Sequence, residues 1–186
     1  APVCSAGPAR PERSFHHPSR RDSPLIRPAR SDDAAKILEF WNPLIRDTLV
    51  TFNPQEKTVT ELQASIRDKA VLGHGFLVWD EGGAILGFAS YTQFRGGEGY
   101  RRAMEHTIIL APGAHGRGIG RRLMAALEDH ARSRGHHIMV AGVSGGNPAG
   151  RAFHAAIGYL EAGIMREAGF KFGSYHDLIL MQKILN

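Results

Sequence analysis

Apolar residues in this chain recur with two distinct spacings, and the switches between them mark out its elements. Leu25-Ile26-Arg27 predicts a short strand, and Ser31 followed by Asp32 and Asp33 gives a helix start with acid in its first turn. Ala35, Leu38 and Trp41 continue at helical spacing, and Pro43 is expected to kink or end that helix. A second helix is predicted from about Thr60 to Val71, where Leu62, Ile66 and Lys69-Ala70 form a weak stripe, before Gly73-His74-Gly75 breaks the chain. Phe76–Trp79 and Ala84–Tyr91 flank Asp80-Glu81-Gly82-Gly83, a hairpin signal. A glycine-rich loop at Gly96–Gly99 then leads to a strand over Glu105–Leu110. Ile119, Leu123, Ala126, Leu127 and Ala131 mark the clearest helix, and Ile138–Gly142 reads as a buried strand. A helix from Asn147 to about Ile157 and apolar segments near Tyr159–Met165 and Asp177–Ile184 complete the chain. Strands first, then helix and strand in alternation, predict a mixed α/β or α+β sheet with helices on its faces.

Composition narrows the function classes. The apolar runs are a handful of residues long, far short of the ~20 that cross a bilayer, so no membrane partner is expected. The single cysteine, Cys4, makes no internal disulfide and no metal-ligand spacing, which fits a reducing, cytoplasmic home. The formal charge of +5 is partly local, since residues 1–23 carry four arginines against Glu12 and Asp22. That stretch, rich in arginine and proline, reads as a poorly ordered arm set apart from a domain at 24–186. No basic stripe interleaved with aromatics accompanies the charge, so nucleic acid is not expected and anionic small molecules are the better partner. His16-His17 and His136-His137 lack zinc spacing, and no metal is expected.

The segment richest in chemistry is His115-Gly116-Arg117-Gly118-Ile119-Gly120, between a strand and the best helix. Glycines at alternate positions let the backbone fold tightly, and free amides at a helix start converge where a phosphate is favoured. A turn that merely starts the helix is the other reading. The pattern is neither a Walker loop nor a dinucleotide fingerprint, so a pyrophosphate in another setting is implied. Arg117, Arg121 and Arg122 add positive charge there, though each taken singly reads as a solvated helix-face residue.

His115-x-x-Gly118-x-Gly120 resembles the Q/R-x-x-G-x-G/A acetyl-CoA turn of the GNAT superfamily of N-acetyltransferases, with histidine where Gln or Arg is usual. Asn147, Phe153-His154 and Gly158-Tyr159 resemble its second motif. Phe94-Arg95 with Gly99-Tyr100-Arg101, Glu105-His106-Thr107, Met139–Gly142 and Gly169–Gly173 with Asp177-Leu178 are similar to the phosphinothricin and methionine sulfone/sulfoximine acetyltransferases. The resemblance runs from about Leu25 to the end. It implies a mostly antiparallel twisted sheet of about seven strands flanked by about four helices.

It also implies acetyl-CoA as cofactor. Ile108, Ile109 and Leu110 would pair with the pantetheine amides, the turn from His115 through Gly116, Arg117, Gly118, Ile119 and Gly120 to Arg121 would hold the pyrophosphate, and Asn147 would reach the other arm. The acceptor would be the α-amine of a small amino acid, gripped at its carboxylate by Arg95, with Phe94 walling the pocket and Tyr100, His106 and Thr107 beside it. Such an amine has a pKa of roughly 8 and must lose a proton to attack a thioester, so a base helps. The resemblance makes Glu105 that base; the residue alone reads rather as a strand-end carboxylate, in water or paired with Arg101 or Arg102. His154 stands where a thiolate-protonating tyrosine is common, and acid, base and packing roles all remain open to it. Direct transfer in a ternary complex is expected, in a homodimer with Lys171 and Phe172 near the partner subunit. The rival readings are an acetyltransferase for a polyamine, an aminoglycoside or a protein N-terminus, and a non-catalytic CoA-binding module.

Overall fold

Strand pairing spreads outward from the expected hairpin. A computed structural model describes residues 25–186; the arm at 1–23, Cys4 included, lies outside the described residues. The strands are β1 (Leu25–Pro28), β2 (Phe76–Glu81), β3 (Ala84–Gln93), β4 (Ala103–Leu110), β5 (Ile138–Ser144), β6 (Leu160–Lys171) and β7 (Ser174–Ile184). The helices are α1 (Ala34–Asp47), α2 (Val59–Leu72), α3 (Ile119–Ser133) and α4 (Pro148–Ala156). All seven strands form one sheet in the order β1-β2-β3-β4-β5-β7-β6. Every pairing is antiparallel except β4 with β5, so the expected mixed, mostly antiparallel sheet is what the chain forms.

Alternation along the strands sorts side chains onto two cores. Phe76, Val78, Phe88 and Ile109 meet Ile37, Leu38 and Phe40 of α1 and Leu62 and Ile66 of α2 on one face. Tyr91, Met104, Met139 and Met181 meet Leu123, Met124 and Leu127 of α3 on the other. On β4 the odd positions therefore face α1 and α2, and the even positions face α3.

Pro43 does not end α1, which runs on to Asp47. Proline removes one helical hydrogen bond, but Ile45 beyond it is 2% exposed, and its burial holds the last turn. Lys171 adds to this from more than a hundred residues further along the chain. Its ammonium, 3% exposed, donates to the carbonyls of Ile45 (2.5 Å), Thr48 (2.6 Å) and Thr51 (2.9 Å). Loop 48–53 is thereby tied down over the sheet, and it fits there only because Gly146 and Gly169 are bare: a Cβ on them would stand 2.6 Å from Leu49 and 2.3 Å from Phe52.

The last hairpin is longer than the apolar segments suggest. Its outer end pairs Gly169–Lys171 with Ser174–His176 across a turn at Phe172 and Gly173, with a register break after Met165. At that break Glu167 takes φ +54° and its N–H donates to Asp177 Oδ1 at 2.9 Å. Little of this end is buried, which is why no apolar alternation announces it.

Replacing Lys171 by Met leaves three carbonyls without their donor. We expect it to lower unfolding stability by about 2–3 kcal/mol, read as a lower urea midpoint with unchanged slope.

Candidate active site

After three register pairs, Ala103 with Ile138 through Glu105 with Val140, β4 and β5 stop pairing. Beyond that point β4 still pairs with β3 as far as Leu110, while β5 keeps only β7, its partner along its whole length on the other side. The gap leaves β4 backbone groups with no ladder partner on one side. A cavity of about 470 Å³ opens there, reaching from His106–Ile109 and Ala141–Val143 to α2. Trp41 and Ile45 of α1, with Val50, Thr51 and Asn53 from the tied-down loop, close it from above.

Glu105 stands at the last paired position, opposite Thr92 on β3. Its carboxylate is half-buried and leans toward β5, where a Cβ on Gly142 would lie 3.0 Å from Oε1. Burial raises its pKa above the ordinary carboxylate value, and no cation among the described residues pairs with it. Arg101 pairs instead with Glu98 at 3.1 Å. The strand-end ion pair, one of two readings of the sequence, is therefore not formed with Arg101, and no bond to Arg102 is seen either.

His106 and His154 meet on the α3 face, Nε2 to Nε2 at 2.9 Å, with Tyr159 packed against both rings. His154 Nδ1 lies 2.7 Å from the Gly150 carbonyl, which can only accept, so that nitrogen carries the proton. His154 Nε2 then accepts, and His106 Nε2 donates to it. His106 Nδ1 is buried without a partner among the described residues. Burial, with the neighbouring His154, pushes the His106 pKa down to about 3, and burial likewise lowers that of His154. With both nitrogens engaged, His154 has no spare N–H for a departing thiolate.

At the expected anion turn, Gly116 and Gly118 each take φ +74°, a left-handed conformation that L side chains rarely adopt. The first helical bond of α3 is Arg122 N–H to the Gly118 carbonyl, so the amides of Ile119, Gly120 and Arg121 have no intrahelical acceptor. Gly120 also lets Phe153 of α4 approach to 3.2 Å from where its Cβ would be. Arg117 is held by Glu81 at 2.8 Å, Arg121 donates to the Ala156 carbonyl, and His115 is exposed. Asn147 lines the cavity while its Oδ1 caps α4 by accepting from Gly150 N–H at 2.9 Å. Free amides at a helix start, an unpaired strand edge and a cavity at its end together fit a long, phosphorylated thioester carrier.

Of the acceptor candidates, Glu105, His106 and Thr107 line the cavity with Ile108 and Ile109. Phe94, Arg95 and Tyr100 do not; they stand on the exposed loop after β3, with the Arg95 guanidinium 5.3 Å from the Tyr100 ring. The ammonium of Lys171 is spent on backbone carbonyls, and Phe172 is 60% exposed at the hairpin turn. The sequence reading missed Ser90, Thr92 and Lys69 as wall residues. For Lys69 a signal existed: a lysine in line with Leu62 and Ile66 with no acid three or four residues away.

A family model described as "Acetyltransferase (GNAT) family" matches residues 38–159. The chain is 35% identical to the L-amino acid N-acyltransferase of Escherichia coli K12, covering 84% of this chain and 91% of that one. It is also 35% identical to the L-methionine sulfoximine/L-methionine sulfone acetyltransferase of Pseudomonas aeruginosa PAO1, covering 86% and 94%. A phosphinothricin acetyltransferase from Sinorhizobium meliloti, solved in complex with acetyl-CoA, superposes with a TM-score of 0.82 at 30% identity over 88% of this chain and 89% of that one. The chain belongs to the GNAT acetyltransferase family, and it is an acetyl-CoA-dependent N-acetyltransferase. No described helix is long and apolar enough to cross a membrane.

The histidine pair makes a titration prediction. Rings whose folded pKa lies below the ordinary value take up protons only on unfolding, so the pair costs stability increasingly as pH falls below about 6.5. Imidazole nitrogen NMR should find His106 neutral down to about pH 5, and His154 in its Nδ1–H form and titrating below the ordinary histidine value. A ring titrating near 6.5 contradicts the assignment.

Proposed function

We propose that the enzyme transfers acetyl to the α-amino group of a small L-amino acid or analogue, phosphinothricin-like or methionine sulfone/sulfoximine-like, in a ternary complex with Glu105 as general base. The observation that carries this reading is a half-buried, unpaired carboxylate at the point where β4 and β5 part. When bound, acetyl-CoA supplies an acetyl group activated as a thioester. The backbone at Ile108, Ile109 and Leu110 would hold its pantetheine arm, the amides from Gly116 to Arg121 its pyrophosphate, and Asn147 its other arm.

Glu105, ionised, accepts a proton from the acceptor's ammonium, directly or through one water. Thr92 and Thr107 flank it, and Arg95, just past the cavity-lining Thr92, serves the acceptor carboxylate from the rim. His106 and His154 hold each other in place and act as positioning residues. Among the described walls there is no cysteine to carry an acetyl group, which favours direct transfer. Glu105 is also the one carboxylate among those walls, while Lys57 and Lys69 line the same cavity, an arrangement that repels polyamines and aminoglycosides.

A second copy of the chain covers the outer hairpin in this reading. β6 is the last strand of the sheet, and Leu160 (75% exposed), Phe170 (57%), Phe172 (60%) and Tyr175 (65%) leave it apolar. Sedimentation equilibrium should give twice the 20.3 kDa chain mass, and Phe172→Asp should shift the protein toward monomer. A wild-type monomer at all concentrations rejects the dimer.

Glu105→Gln tests the base. Thiol release with acetyl-CoA should fall by about 10²–10⁴-fold while acetyl-CoA affinity is kept. In the wild type, kcat/KM should fall with decreasing pH around a midpoint above the ordinary carboxylate range, because the required form is the ionised one. An unchanged rate in the variant across pH 6–9 rules the assignment out.

A further inference from the structure

Lys69 is the cavity cation that the reaction described so far leaves without a task. Other inward lysines are fully engaged: Lys171 holds three carbonyls, and Lys183 holds Glu128 at 2.7 Å and the Ile157 carbonyl at 2.9 Å. Lys57 lies over the Trp41 ring, 5.1 Å from its centre. Lys69, by contrast, is half-buried and donates only to the Tyr91 carbonyl, at 2.8 Å, with no carboxylate beside it among the described residues. Burial lowers its pKa to about 8. An ammonium withdrawn from water with one partner is costly unless something else completes its shell.

Position says what completes it. Tyr91 N–H bonds the Gly75 carbonyl on the β2 side of β3, and in an antiparallel ladder a residue's N–H and C=O point the same way. Lys69 therefore sits on the β2 side of β3, whereas Glu105 leans over β5. Two strand spacings, roughly 10 Å, separate them. An acceptor amine at Glu105 keeps its own carboxylate two bonds away, short of Lys69. A phosphorus or sulfur at the side-chain end is four bonds away. With one more bond to oxygen and a hydrogen bond at each end, that path spans up to roughly 12 Å and covers the gap, whereas the carboxylate path, two bonds shorter, spans at most roughly 9 Å.

We infer that Lys69 anchors a tetrahedral, oxygen-bearing group at the side-chain end of the acceptor, a phosphinate or its neutral sulfone or sulfoximine counterpart, so that the cavity reads the two ends of the molecule with two residues, Glu105 and Lys69. The inference rests on the acetyl transfer proposed above. It makes Lys69 a specificity residue and leaves the carboxylate to other groups.

L-phosphinothricin and L-methionine share the amine and the carboxylate but differ at the side-chain end, which isolates the interaction. The ratio of their kcat/KM values should fall by about tenfold or more in Lys69→Met, mainly through KM for L-phosphinothricin. Because Lys69→Met also strips the Tyr91 carbonyl of its donor, Lys69→Arg is measured beside it and should restore part of the ratio. Calorimetry of acetyl-CoA and of L-phosphinothricin with CoA present accompanies each protein. An unchanged ratio in Lys69→Met, or an equal loss for both acceptors, overturns the inference. If the wild type binds L-phosphinothricin without acetylating it and Lys69→Met does not bind it, the anchor stands and the reaction falls. A wild type that neither binds nor acetylates L-phosphinothricin sinks both.

Discussion

The parting of β4 and β5 is the constraint on which the rest depends. Two parallel neighbours would ordinarily satisfy each other's backbone along their length, and here they do so for three pairs only. A strand edge inside a protein cannot stay unpaired in an apolar setting, so the gap is necessarily polar in its demands and concave in shape. The elements around it answer those demands. α3 starts beside the gap with three free amides, α4 caps itself with Asn147 at its edge, and the last paired residue is the carboxylate Glu105.

The same gap explains why carboxylate and histidines have different work. Glu105 is at an odd position of β4 and faces α1 and α2, where the cavity lies. His106 is one residue on and faces α3, where it is bonded to His154 and packed under Tyr159. A one-residue step along a strand thus separates a half-buried carboxylate with no cation beside it among the described residues from a histidine kept neutral by burial. His154 has both nitrogens bonded to the protein, one to the Gly150 carbonyl and one to His106.

Much of the fold could be read from the chain because its signals are local. The hairpin turn at Asp80–Gly83, the glycine break after α2 and the spacing of Leu123, Leu127 and Ala131 each name their element within a few residues. Local signals also placed Glu105, His106 and Thr107 on one strand, and all three line the cavity. What escaped the reading is set by particular side-chain-to-carbonyl contacts, some of them distant, that residue patterns do not name. Pro43 was expected to kink or end α1, but the helix runs on to Asp47: Ile45 is buried, and Lys171, 126 residues away, binds its carbonyl. Phe94 and Arg95 sit beside the pocket in sequence yet outside its walls, because Gln93 ties their loop to itself through the carbonyls of Arg95 and Gly97. Lys69 was read only as part of a weak helical stripe, since a lysine on a helix is ordinarily solvated, and the packing of α2 turns it inward.

Lys171 grips its loop by three main-chain carbonyls and reads no side chain there. Carbonyls are common to all residues, so the roof of the cavity can be held in one place while Val50, Thr51 and Asn53 change identity. The clamp therefore separates heritable variation in what the pocket accepts from the geometry that keeps it a pocket. New acceptors can be acquired by altering the ceiling without rebuilding the house.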